Sequence, residues 1–208
     1  MERGSQRDAR YTRSKLSQAL DLAIRAFSSS SSRSTGCIPP WVMASEPSPV
    51  FRDELHNLFP TDESAGRLRK QTFLLSEFLQ NHALNYLPPS LSRKVILHGH
   101  CHHKAPMKII NHEESLLRKT GVELQSLDSG GCGIAGPFGC QKDKFEISQA
   151  TGERILLPAV RNAALDTLVV ADGFSCREQR LQGAGRSAMD MAEVLKIALD
   201  RENSSEGG

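Results

Sequence analysis

The chain is poor in aromatic residues, at 5% of its 208 positions with one Trp and two Tyr. It has no apolar run near the ~20 residues that a membrane-spanning helix needs. The longest, around Leu165–Ala171, is the length of a strand. A surplus of either charge is also missing: the net charge is +2 with signs interspersed, which leaves no basic stripe for nucleic acid. The N-terminus MERGSQRDARYTRSK lacks the apolar segment of a secretory signal. Its Arg and Ser content is that of a transit peptide, but Glu2, Asp8 and Asp21 run against that reading. Even pairing of cysteines is absent as well. Five of them (Cys37, Cys101, Cys132, Cys140, Cys176) in a chain with no signal point to reduced thiols and a cytoplasmic setting rather than a disulfide framework.

What is present is enough for one core. At 38% hydrophobic, a chain longer than ~150 residues buries roughly 70% of its unfolded surface. Residues 15–27 place Leu16, Leu20, Ile24 and Phe27 at helical spacing, and the Ser-rich stretch after them reads as a linker. Residues 1–36 are therefore set apart from a domain over 37–200, and 201–208 reads as a disordered tail. Within the domain, residues 41–44 suit a short strand and 50–59 a helix ended by Pro60. One long helix is expected over 64–86, closed by Pro88 and Pro89.

Beyond Pro89, short apolar strands alternate with helices. Strands are expected over 94–98, 122–127 and 167–171, and helices over 111–120, 153–164 and 187–200. That alternation implies an α/β layered fold with a mostly parallel sheet. Sites in such sheets form beyond the carboxyl ends of strands. Three loops leave three strand ends, HGHCHHKA, DSGGCGIAGPFG and DGFSC, and each holds one cysteine. Neighbouring strands would bring Cys101, Cys132 and Cys176 to one sheet edge, as a strand-end metal site.

Three thiolates suit a soft metal or an iron–sulfur cluster. Their separations of 31 and 44 residues match no short zinc signature. The same cysteines could equally be small buried hydrophobes. His98, His100, His102 and His103 crowd around Cys101. Read as an extended turn, the stretch would point His98, His100 and His102 one way and Cys101 and His103 the other. His100 or His102 could supply a fourth ligand, while His98 and His103 would orient the site or carry protons. The backbone of Gly131 and Gly133 could approach an inorganic core and donate N–H groups. Asp172 and Arg177 border the third loop. Arg161 reads as a surface ion pair, and Cys37 and Cys140 as structural or exposed thiols. Gly131–Gly136 also fits the dinucleotide pattern G-x-G-x-x-G, but Pro137 and Gly139 interrupt the helix that should follow.

The segments LHGHCHHKA, LDSGGCGIAGPFG, LLPAVRNA, ADGFSCREQ and EPSPVFRDELHNLFP together resemble the cysteine-rich CCG domain. That domain is the C-terminal iron–sulfur module of FAD-linked oxidoreductases of the D-lactate dehydrogenase and glycolate oxidase type, related to a heterodisulfide reductase subunit. The resemblance covers roughly residues 45–200. It implies a cluster, 4Fe-4S in kind with zinc as the alternative, on Cys101, Cys132 and Cys176. Electrons would come from FAD on a partner flavoprotein domain or subunit that oxidises a 2-hydroxy acid. Membrane association, if any, would be peripheral and through that partner. The family has adjacent cysteines where this chain has Gly131-Cys132, and E-P-S-C where it has Glu46-Pro47-Ser48-Pro49. Those two departures leave open a zinc-bound or metal-free docking module. In the iron–sulfur reading the chain is expected to be a separate subunit or a truncated form of such an oxidoreductase, inactive alone.

Overall fold

The computed structural model describes residues 41–43, 48–105 and 107–206. The expected helix over 15–27, the Ser-rich linker, Cys37, Glu46 and Pro47 lie outside them. The order of elements is β1 (Trp41–Met43), a π-helical turn Val50–Glu54 running into α1 (Leu55–Leu58), α2 (Glu63–Gln71), β2 (Thr72–Leu74) and α3 (Leu75–Asn81). Then follow β3 (Lys94–Leu97), α4 (Cys101–Lys104), α5 (Ile110–Lys119), β4 (Glu123–Ser126), α6 (Phe145–Glu153) and α7 (Leu156–Asn162). The chain closes with β5 (Leu168–Val170), α8 (Phe174–Ala184) and α9 (Met191–Glu206).

The fold is α/β, as the strand–helix rhythm implies. β3 is the central strand of a parallel sheet ordered β4-β3-β5, with Leu97 opposite Ser126 on one side and Val170 on the other. Period-two alternation splits these strands between two cores. Val95, Leu97 and Val170 pack with Phe78, Leu116 and Leu195 on one face. Ile96 and Val169 pack with Leu127, Leu156, Val160, Cys132 and Cys176 on the other. Helices thus cover both faces, as a parallel sheet requires. The three carboxyl ends lie in register, so the loops after β3, β4 and β5 open along one edge.

Three expectations are corrected. The helix over 64–86 is interrupted by β2, where the β-favouring pair Thr72-Phe73 pairs in parallel with β1. Glu77 holds that break: its carboxylate accepts from the Leu74 N–H at 3.4 Å and from Arg52 Nη1 at 2.5 Å. The helix over 153–164 shortens to α7, Leu156–Asn162, while Glu153 is the last residue of the separate helix α6. Pro158 sits in the first turn of α7, where a missing N–H costs no helical bond, so the new helix begins just before it. The last helix reaches Glu206, past the start of the tail expected from 201, and residues 207–208 lie outside the described residues. Its start is fixed by a reciprocal capping pair: Asp190 Oδ1 accepts from Glu193 N at 2.9 Å, and Glu193 Oε2 accepts from Asp190 N at 3.0 Å.

Candidate metal centre at the strand ends

The first loop is a helical turn, which overturns the extended-turn reading. His103 N and Lys104 N both donate to His100 O at 3.0 Å and close the turn that becomes α4. Helical spacing therefore replaces alternation. His100, Cys101 and His102 now present ligand atoms within 4.8 Å of one another, with Cys101 Sγ 3.6 Å from His102 Nδ1. Cys101 and His102 are exposed and His100 is buried. Two glycines permit this turn. A Cβ on Gly99 would lie 2.4 Å from Ile110 Cδ1, and one on Gly173 would lie 2.2 Å from His100 Cδ2.

His103 turns inward, its ring edge-on to that of His100 with centroids 5.1 Å apart. Its Nδ1 hydrogen-bonds Glu113 Oε1 of α5, and Asp172 brings a third ligand-type group within 4.8 Å. Burial pushes the Glu113 carboxyl up to about 8, and the neighbouring Glu114 charge adds to the effect. Burial and then the Glu113 charge push Asp172 up to about 7. Asp172 also accepts from Met191 N at 2.8 Å, tying the third loop to α9. His98 is fully buried and its Nδ1 lies 2.6 Å from Ser129 Oγ. Burial, followed by the Arg180 charge, lowers it to about 3, so it stays neutral at ordinary pH.

The second and third loops meet directly. The Cys176 thiol, in the first turn of α8, donates a hydrogen bond to the Cys132 sulfur. That bond is the largest cause drawing Cys132 down to about 6, and it is joined by backbone N–H groups of Ile134, Ala135 and Cys132 itself. The opposite ends of the bond and burial push Cys176 up. Positive φ at Gly130, Gly133, Ala135 and Gly136 curls the backbone into this nest of donors. Gly133 is required there, since a Cβ would come 2.2 Å from Ser148 O. Cys101 acts on Cys176 through its charge alone, the smallest of the causes that raise it, and its sulfur groups with His100 and His102 rather than with the thiol pair. Gly131 has open space where a side chain would stand, with no atom within 4 Å of a Cβ.

Other expected residues fall outside the thiol pair. Arg177 lies 3.7 Å from Asp190 and 4.0 Å from Glu193, holding α8 to the start of α9. Arg161 makes an exposed bidentate pair with Glu153 and also bonds Gly183 O. Cys140 is an exposed free thiol in a 3-10 turn, Phe138–Cys140, which occupies the place of a phosphate-binding helix. Ser48, beside the buried Pro49, reaches Met107 Sδ at 3.9 Å just past α4. Glu113, Ser129 and Arg180 were not singled out from the sequence. The signal for Glu113 was a carboxylate on the same inward face of α5 as Leu116 and Leu117. For Arg180 it was the spacing of four from Cys176.

With this geometry in view, comparison with known proteins gives a partial likeness. The chain is 36% identical over 89 residues to one of the subunits of the anaerobic glycerol-3-phosphate dehydrogenase of Escherichia coli (strain K12). It is equally similar to the protein of the same name from Escherichia coli O157:H7. Part of this chain is thus similar to part of a dehydrogenase assembly. The match covers 43% of this chain and 22% of each relative, so the chain spans about a fifth of their length. No protein-family model matches the chain, and no solved structure matches it. No helix among the described residues is long and apolar enough to cross a membrane.

The donor set fits a thiolate-bound metal centre. One thiol is poised as thiolate in a ring of backbone donors, a second touches it, and a third with two imidazoles stands at the rim. A buried cation with unmet donors, Arg180 with its Nε and Nη2, stands four residues along α8 from Cys176.

Proposed function

We propose that this chain is an electron-transfer module of an oxidoreductase, holding an iron–sulfur centre on Cys101, Cys132 and Cys176 with His100 or His102 as a further ligand. The observation that carries this is the Cys132–Cys176 contact inside a nest of backbone N–H groups. Such donors lower the charge density on sulfur and suit a reducible cluster. When bound, a cluster of this kind supplies one-electron relay. The chain's own part is to hold the thiolates, exclude water with the Ile134, Leu156 and Ala171 core, and keep His98 neutral beside the site. The electron donor in this reading is FAD on a partner flavoprotein domain or subunit. The partner's substrate is a small anionic alcohol, a 2-hydroxy acid by the family resemblance, or glycerol 3-phosphate by the name the relatives carry. The partner would supply any peripheral membrane contact, and the module would work in the cytoplasm.

A second reading rests on Gly131 and Pro49, which stand where the resembled family has cysteines. With two thiolates fewer, the same pocket would hold zinc, or pack without metal as a docking module. Anaerobic purification followed by iron, zinc and sulfide analysis separates the readings. Iron with matching sulfide and broad visible thiolate-to-iron absorption supports the relay. Zinc alone, or a folded chain without metal, supports the docking module and rejects the relay.

A further inference from the structure

Arg180 is the most demanding side chain in the fold. It is fully buried, yet its Nε and Nη2 have no hydrogen-bond partner. Its remaining nitrogen, Nη1, makes only a long 3.4 Å bond to Val170 O, which already accepts from His98 N at 2.9 Å. A guanidinium carries five N–H donors, and leaving a buried cation this poorly matched is costly unless an anion completes it.

The position of Arg180 says where that anion belongs. Cys176 and Arg180 are four apart in α8, hence on one helix face a turn apart. The Arg180 charge acts on both Cys176 and Cys132. The neighbouring cations are engaged elsewhere: Lys104 Nζ donates to Leu127 O at 3.0 Å, and Arg177 faces Asp190 and Glu193. His98, on the same Val170 carbonyl, leaves its buried Nε2 without a partner too. Two unmatched polar side chains thus meet at the Val170 carbonyl at the end of β5, and one of them, Arg180, acts on both sulfurs. A thiolate-ligated centre carries negative charge, and a planar, weakly hydrated guanidinium is suited to hold it in a dry site.

We propose that Arg180 is the fixed counter-cation of this site, a positioning residue whose Nε–H and Nη2–H groups face the anionic sulfur side of the bound centre and raise its reduction potential. The inference rests on the metal-centre reading above. A fixed positive charge favours the reduced, more negative state of a cluster, and low dielectric strengthens that effect.

The test reconstitutes the full chain anaerobically with iron and sulfide and reads the midpoint potential of the parent, Arg180→Met, Arg180→Gln and Arg180→Lys. We expect Arg180→Met and Arg180→Gln to be at least tenfold harder to reduce, a fall of about 59 mV for a one-electron couple. Arg180→Lys, which keeps the charge, should stay within threefold of the parent. Should the parent take zinc but form no cluster, the same contrast is read as at least tenfold weaker cobalt(II) binding in Arg180→Met and Arg180→Gln. If Arg180→Met does not fold, Arg180→Gln against Arg180→Lys carries the comparison. A loaded parent whose charge-removing variants match it overturns this inference alone. A parent that binds no metal overturns it together with the reading on which it rests.

Discussion

Two buried polar clusters flank the same histidine turn, and they solve burial in different ways. On one side Cys132, Cys176, His98 and Arg180 combine thiols with a cation whose donors are unmatched. On the other, His103, Glu113 and Asp172 combine an imidazole with two carboxyls that hold their protons to unusually high pH. The carboxyl side is bound together by the His103–Glu113 bond and the Met191 N–H on Asp172. On the thiol side the cation has no such carboxylate: Arg180 Nε and Nη2 are buried without a partner. A buried cation left this way marks the side expected to take an anionic ligand, while the paired carboxyl cluster acts as structure.

The largest expected effect falls on metal retention. Cys132→Ser should abolish it, since the hydroxyl neither ionises nor binds soft metals at neutral pH, while the fold persists by circular dichroism. Retention equal to the parent would place the centre elsewhere. The carboxyl side should respond in the opposite sense. Glu113→Ala removes the hydrogen-bond partner of a fully buried histidine and should cost about 2 kcal/mol of stability, read by chemical denaturation, with metal content retained in the protein that stays folded.

The two sides also differ in pH response. Glu113 and Asp172 are neutral in the folded chain at pH values where they would be ionised when unfolded, so folding takes up protons. Their contribution is present in full below the ordinary carboxyl range. It is lost as pH rises through the folded values of about 7 for Asp172 and about 8 for Glu113. Glu113→Gln should flatten that decline in stability between the ordinary carboxyl value of 4.5 and about 8. An unchanged slope would show that Glu113 ionises normally.

How much of this was legible beforehand follows from which forces act locally. The three strands and the convergence of their loops are written in short apolar runs and turn residues, so the meeting of Cys132 with Cys176 could be expected from topology alone. The break at Thr72–Leu74 could not, because it depends on pairing with Trp41–Met43, a contact made thirty residues away in the chain. The helical turn at Cys101–Lys104 was hidden for a similar reason. Its room comes from Gly99 passing Ile110 and Gly173 passing His100, and neither approach shows in local spacing. Arg180 was masked by its type, since an arginine is by default read as surface.

Smaller effects sharpen the contrast. Gly173→Ala should displace the His100 ring, whose Cδ2 would lie 2.2 Å from the new Cβ, and weaken metal binding several-fold without touching a ligand. Metal affinity identical to the parent would remove His100 from the ligand set. Gly131→Cys places a thiol in open space next to Cys132 and should improve cluster retention with little change in melting temperature. A fall in retention would show that the extra sulfur does not reach the centre.

The central claim is that sulfur from separate strand-end loops forms one metal shell. X-ray absorption at the metal edge of the anaerobically loaded protein tests it most directly. The account predicts a first shell dominated by sulfur, at about 2.3 Å if the metal is zinc, that is lost in Cys132→Ser. A shell of nitrogen and oxygen alone, at about 2.0–2.2 Å and unchanged in that variant, would contradict it.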